Sequence, residues 1–513
     1  MNGAESLVRT LLASGIDTCF ANPGTSEMHF VAALDQIPGL RCVLGLQENV
    51  VTGMADGYCR MAEKPAATLL HCGPGLANGL ANLHNARRAR SAIVNIVGDQ
   101  ATYHRPHDAP LTADTDALAR TVSAWTRTTA EAGDVGRDAA IAVQAARAHP
   151  GQIATLILPS DASWSAGGRV GEALGAPAPA PLDPGAVETA ARLLRNGGRT
   201  LLLLAGSAAL APGQGLAHRL ARASGAGVMF DFVNARMARG RGRLAAARVP
   251  YAMSEAIAAL APFDTILLVG AKPPVGFFAY PGLPSVQYAP TARLHVLSRP
   301  EQDGVAALQA LVDVIGAPEA PFEASGPAPE PARGAVTPEA FAQTLAALMP
   351  EEAIVSDESI TFGRALLGAT HVAAPHDWLQ LTGGAIGDGL PVATGAAIGA
   401  GAARRVVSLQ ADGSAMYSLQ SLWTQARENL PCTTIVFSNR RYEILIGEYR
   451  AVGATPGPTA MDMLDLGRPD LDWVKLAGGM GVEGARAETM EACADLMRHS
   501  FARPGPFLIE LAI

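Results

Sequence analysis

Asp412 and Asn439 stand 27 residues apart, each just past a short run of β-branched and apolar residues. Those runs, Arg405–Gln410 (RVVSLQ) and Thr433–Phe437 (TTIVF), read as strands. Between them Ser418–Asn429 carries Leu419, Leu422, Trp423 and Ala426 at the i, i+3, i+4, i+7 spacing of an amphipathic helix that ends before Pro431. A strand–helix–strand unit of this kind is parallel, so the carboxyl ends of both strands share one edge of the sheet. A carboxylate and an amide oxygen at that edge suit Mg²⁺, a hard cation that takes oxygen ligands and keeps phosphate oxygens in its shell. Gly413 allows close backbone approach to a phosphate, and the N–H groups opening the following helix, around Ser414, favour negative charge. The chemistry would be capture of a diphosphate through a metal. The competing reading of Asp412-Gly413 is a plain turn.

The other candidate side chains lie in the first 90 residues, in one glycine-rich stretch and at a strand end before it. FANPGTSE (Phe20–Glu27) follows a strand with a Pro-Gly turn and a helix start, with Thr25 or Ser26 as N-cap. GLQENVVTGMADGYCR opens a helix of small and apolar residues with Glu48, and LHCGPGLANGLANLHNARR puts His71 at a strand end before a Gly73-Pro74-Gly75 turn. Alone, Glu48 could simply compensate a helix dipole and His71 could be a satisfied core residue. LTGGAIGDGLPVATGAAIG (Leu381–Gly399) reads as a glycine-rich loop opening a small-residue helix. A close helix crossing explains its later glycines but not the isolated bulk of Ile386 between Gly384, Ala385 and Gly387. VSDESIT ends a strand with the hydroxyls Ser359 and Thr361, candidates for a diphosphate.

The elements that must position these groups fall into three blocks. Leu174–Ala186 and Gly316–Ala335 are rich in Pro, Ala and Gly and lack apolar periodicity, as connectors do. The expected domains are 1–173, 187–315 and 336–513. Each alternates short apolar strands (Thr18–Ala21, Ala67–Leu70 and Ile93–Val97; Leu201–Ala205 and Thr265–Val269; Ala353–Ser356 and Val406–Gln410) with helical patterns, which predicts three α/β domains with parallel sheets. With 513 residues, 49% of them hydrophobic, the chain can bury several substantial cores. A net charge of −8 argues against a nucleic-acid partner. The six cysteines form no CxxC pair, and no apolar run is long enough to span a bilayer. With no secretory pattern around Glu5, a cytoplasmic location is expected.

In this order the motifs resemble the thiamine diphosphate (ThDP) enzymes, specifically the acetolactate synthase and benzoylformate decarboxylase (pyruvate decarboxylase-like) family. That family's metal motif is Gly-Asp-Gly followed by Asn-Asn; here Ala411 and Ser438 replace its first Gly and first Asn, while Asp412 and Asn439 are kept. The resemblance implies ThDP-binding domains at both ends with a Rossmann-like middle domain, and Mg²⁺ held by Asp412, Asn439 and the carbonyl of Arg441. It makes Glu48 the partner of the cofactor's pyrimidine ring, Gly384 the acceptor for its amino group and Ile386 the wedge that bends the cofactor. His71 matches the proton-transferring histidine of the decarboxylases, whereas Gly73-Pro74-Gly75 matches the acetolactate synthases. The decarboxylases' second histidine, from the middle domain, is replaced near Phe277 and Phe278. Tyr442 joins the cofactor site, and Thr25, Ser26, Phe277, Leu445 and Glu448 are candidates for the substrate pocket.

By resemblance the reaction is decarboxylation of a 2-oxo acid, the remaining enamine being protonated to an aldehyde or captured by an acceptor. The alternatives are an acetolactate synthase-type carboligase without functional FAD, and a non-catalytic ThDP-binding protein. Gly206, Gly213 and Gly215 do not form GxGxxG, so no nicotinamide or flavin site is expected in the middle block. The family's shared active sites imply a homodimer or homotetramer.

Overall fold

The computed structural model describes residues 1–323 and 326–513. The first sheet contains β1 (Thr18–Ala21), β2 (Arg41–Leu44), β3 (Ala66–Leu70), β4 (Ile93–Asp99), β5 (Trp125–Thr128) and β6 (Ile153–Pro159) in the order β2-β1-β3-β4-β6-β5, all parallel. Its inner strands β1, β3, β4 and β6 are buried along their whole length, as parallel strands covered by helices on both faces must be.

The next six strands are β7 (Thr200–Leu204), β8 (Gly227–Phe230), β9 (Arg236–Arg239), β10 (Ala247–Arg248), β11 (Thr265–Val269) and β12 (Arg293–Ser298). Five of them form a parallel sheet ordered β10-β8-β7-β11-β12. The last six are β13 (Ala353–Glu358), β14 (His376–Gln380), β15 (Val406–Ala411), β16 (Cys432–Ser438), β17 (Glu483–Ala487) and β18 (Phe507–Ala512), in a seven-stranded sheet ordered β17-β18-β16-β15-β13-β14-β9. The seventh strand, β9, comes from the middle block and pairs antiparallel with β14. It covers an edge that would otherwise be open, and buried Arg239 pins it by donating to the Leu367 and Ala246 carbonyls at 2.6 and 3.1 Å. The chain therefore has three α/β domains, but the boundary at 315 does not separate their sheets.

Three local expectations are corrected. The Gly73-Pro74-Gly75 stretch is the first turn of an 18-residue helix, Cys72–Ala89, where a proline loses no helical hydrogen bond. The Ser418–Asn429 helix begins later, at Ser421, and ends at Arg427. Ahead of it, Tyr417, Ser418 and Ser421 N–H groups bond three residues back in tight turns. Finally, neither Thr25 nor Ser26 is an N-cap: both lie inside a 3-10 turn, Thr25–Glu27, whose N-cap is Gly24.

One crossing fixes the first domain against the third. The Glu48–Ala62 and Gly389–Ala400 helices meet backbone to backbone. A Cβ on Gly57 would collide with the Val392 carbonyl, and one on Gly395 with the Met54 carbonyl. Beside the crossing, Arg60 is fully enclosed, paired with Asp56 and donating to the Gln380 carbonyl at 2.8 Å. The glycines read as packing glycines thus pack against the helix that Glu48 opens.

Candidate active site

The carboxyl ends of β15 and β16 carry Asp412 and Asn439, as parallel pairing requires: Ala411 is in register with Phe437. Asp412 is 2% exposed, and burial raises its carboxyl above the usual range. Only backbone groups answer it: Gly413 N–H donates at 2.8 Å and Arg440 N–H at 2.6 Å, tying the two strand ends together. Among the described residues no Lys or Arg side chain pairs with it. A buried carboxylate without a counter-cation is costly, so this donor set fits a hard divalent cation. The Asn439 amide oxygen accepts from Arg441 N–H at 3.0 Å, and the Arg441 carbonyl accepts from Glu443 N–H at 3.0 Å with a second lone pair to spare. The Tyr442 ring sits where a Cβ on Gly413 would be. Ser414 is buried beside Asp412 in the same short helical turn, Asp412–Ala415. Of the two hydroxyls offered for a diphosphate, Ser359 is buried and already donates to Asp357, while Thr361 is half-buried at the start of the next 3-10 turn.

The Gly384–Gly387 loop is fastened on both flanks. Asn85 brackets Ala385, donating to its carbonyl at 2.8 Å and accepting from its N–H at 3.2 Å; Asn82 donates to the Gly387 carbonyl at 3.2 Å. From β13, Glu358 accepts from Gly387 and Gly389 N–H groups, both at 2.7 Å. Burial pushes the Glu358 carboxyl up to about 7, against the pull of those N–H groups. Gly384 and Gly387 have φ of +81° and +88°, conformations that favour glycine, and they bend the chain around half-buried Ile386. The carbonyls of Gly383, Ala385 and Gly387 are occupied, whereas that of Gly384 has no protein partner among the described residues. An acceptor left open beside a fixed wedge fits the amino group of an aminopyrimidine.

In the first domain Glu48 opens its helix with 8% exposure. Its two oxygens each receive one amide, from Asn22 at 3.0 Å and Asn78 at 3.1 Å. His71 Nδ1 lies 3.0 Å from the buried Glu27 carboxylate and 3.1 Å from Ser26 Oγ. Glu27 also accepts from Gly24 N–H at 2.8 Å, closing the turn that holds it. A Cβ on Gly75 would lie 3.3 Å from His71 Cβ and 3.6 Å from Glu48 Oε1, so both side chains border the same point. Cys72, buried at φ 51°, has its Sγ 3.2 Å from Ser26 Oγ; burial pushes its thiol up to about 11. Thr25 is exposed.

Phe277 of the middle domain lies against Gly384, within an aromatic group formed with Tyr251, Phe232 and Phe278. Glu448, on the Glu443–Ala451 helix that follows the Asn439–Tyr442 loop, accepts from Tyr251 and Tyr280 hydroxyls at 3.2 and 3.4 Å. Burial and that carboxylate both push the Tyr251 phenol up. Leu445, one turn earlier, is 44% exposed. Sequence reasoning missed Asn22, Glu27, Asn78 and Glu358. For Glu27 a signal existed, because a Glu three residues after an N-cap commonly folds back on it. For Asn78, one of many polar residues on a helix, there was none.

No hydrogen bond among the described residues joins the Glu48–His71 group to the Asp412–Asn439 group within the chain. Between the first and middle domains lies a cavity of about 830 Å³, bordered by Arg88, Ser207, Lys272 and Gln302.

Residues 1–119 match the N-terminal TPP binding domain of thiamine pyrophosphate enzymes, and residues 362–511 match the C-terminal one. A Mycobacterium tuberculosis (strain H37Rv) protein provisionally named an acetolactate synthase large subunit is 50% identical over 516 residues, covering 100% of this chain and 99% of its own. Benzoylformate decarboxylase of Pseudomonas aeruginosa is 30% identical, covering 97% of this chain and 96% of its own. The solved structure of the Rhodococcus jostii thiamine diphosphate-dependent 4-hydroxybenzoylformate decarboxylase superposes with a TM-score of 0.86 at 25% identity, over 99% of this chain and 98% of that one. The chain belongs to the thiamine pyrophosphate enzymes, in the family that contains acetolactate synthases and benzoylformate decarboxylases. Its two TPP-binding domains make thiamine diphosphate the cofactor.

Proposed function

We propose that this protein is a Mg²⁺-dependent decarboxylase of a 2-oxo acid. The observation that carries this reading is the Glu27-held His71 bordering the same point as Glu48. Bound thiamine diphosphate supplies an electron sink for the pair released as carbon dioxide departs. Asp412, Asn439 and the Arg441 carbonyl hold the metal and through it the diphosphate. Ile386 props the cofactor from the fastened loop, and Gly384 O receives its amino group. Glu48, aimed by Asn22 and Asn78, holds and returns a proton at the pyrimidine. His71, oriented by Glu27, delivers a proton at the former carbonyl carbon, which yields an aldehyde. Phe277 and Leu445 border the substrate's side chain. In a homodimer or homotetramer, Glu48 and His71 of one copy complete the metal half-site of another.

The test is turnover of a panel of 2-oxo acids, pyruvate and benzoylformate included, with ThDP and Mg²⁺, following carbon dioxide and the organic product. Aldehyde release supports the reading. An acyloin or acetohydroxy acid would replace it with carboligation, the reading favoured by the relative that is 50% identical. No carbon dioxide from any substrate, with ThDP bound, would favour a non-catalytic binding protein. Since the cavity between the first and middle domains is about 830 Å³, the expectation of no flavin is checked by the visible absorbance of purified protein, where a flavin band would overturn it.

A further inference from the structure

Glu27, His71 and Cys72 bring three different metal-ligating atom types together: a carboxylate oxygen, an imidazole nitrogen and a thiol sulfur, all within 4.8 Å of one another. The imidazole Nδ1 is 3.0 Å from the carboxylate and 3.8 Å from the sulfur. Those separations are near the edge lengths of a tetrahedron built on Zn–N, Zn–O and Zn–S bonds of about 2.0 to 2.3 Å. Glu27 and Cys72 are enclosed, while His71 keeps 21% of its side chain exposed as an entrance. The ligands come from two anchored segments, the Thr25–Glu27 turn and the first turn of the Cys72–Ala89 helix, so little ordering is required on binding.

We propose that Glu27, His71 and Cys72 form a binding site for a thiophilic divalent cation, Zn²⁺ above all, with its fourth position open to water. Thiolate and imidazole donors select zinc over magnesium, whereas the all-oxygen set at Asp412 and Asn439 selects the reverse. The two sites therefore sort the two metals. Binding exchanges the thiol S–H bond for an S–Zn bond and releases that proton to solvent; no electron is transferred. Zinc would occupy the Nδ1 face of His71 and break its contact with Glu27, so it would inhibit. The binding is independent of the reaction proposed above; the inhibition rests on it.

The test uses holoenzyme in excess Mg²⁺ and ThDP, so that the oxygen site is filled. Zn²⁺ is titrated by calorimetry, and Co²⁺ is added as a spectroscopic probe for a thiolate-to-metal charge-transfer band. Wild type is expected to bind one zinc per chain and to show the band. Cys72→Ser should lose the band and bind zinc at least about ten-fold more weakly, and Glu27→Gln should weaken binding while keeping the band. Thermal unfolding of each variant without metal checks that it is folded. Zinc affinity unchanged in Cys72→Ser, or no thiolate band in wild type, overturns the site. If the site binds as expected but turnover, scaled to each variant's zinc-free rate, is insensitive to zinc, the inhibitory claim is overturned while the reaction reading stands on its own substrate panel.

Discussion

Glu48 is held by two neutral amides, from Asn22 and Asn78, rather than by a charged partner, an arrangement that fixes where its carboxyl group points. Glu48→Gln keeps the shape but cannot carry the proton, so turnover should fall by about 10² to 10⁴ while ThDP binding, followed by calorimetry, is retained. Near-normal turnover would remove Glu48 from the mechanism. His71 differs in being oriented by a buried carboxylate. His71→Ala should slow the protonation step and shift the ratio of aldehyde to ligated product in a competition assay; an unchanged rate and ratio would remove His71 as proton donor.

At the scale of elements, two devices hold the Gly384–Gly387 loop and its neighbours. The first is the helix crossing at Gly57 and Gly395, where a Cβ would meet opposing backbone oxygen. Gly395→Val should cost about 1 to 3 kcal/mol by overpacking, read as a lowered Tm of the apoprotein. The second is Glu358, whose carboxyl is pushed up to about 7 by burial. An acid raised in the folded state keeps its proton where the unfolded chain has lost it. Stability is therefore full below the ordinary carboxyl range and declines as pH rises through about 7. The span is on the order of 3 kcal/mol. Glu358→Gln should flatten this slope in melting curves taken from pH 5 to pH 8; an identical slope in both proteins would assign the titration elsewhere.

For the whole molecule the decisive feature is that Glu48 and His71 lie in the first domain and Asp412 and Asn439 in the third. If copies exchange these groups, Glu48→Gln and Asp412→Ala chains, each inactive alone, should complement when mixed by refolding or coexpression. Random pairing makes about half the dimers mixed, each with one intact site, so about a quarter of the sites should recover. No recovery, with mixed dimers demonstrated by mass, would place each active site within one chain.

The sequence by itself determined the local features that rest on short-range rules. Strand composition, helix periodicity and parallel crossover placed Asp412 beside Asn439 and Glu48 at a helix start, because those rules act within about thirty residues. Thr18–Ala21 and Thr265–Val269 carry their strands to the residue for the same reason. Only tertiary structure decided what depends on contact between distant segments. The β9 strand left its own block because an exposed edge of β14 needed pairing, which no local pattern announces. Glu358 became a clamp only because the Gly387 and Gly389 N–H groups arrive from 29 and 31 residues away. Glu27, read as the last letter of a turn, became the partner of His71 because β1 and β3 are hydrogen-bonded neighbours, so their carboxyl ends open onto one crevice.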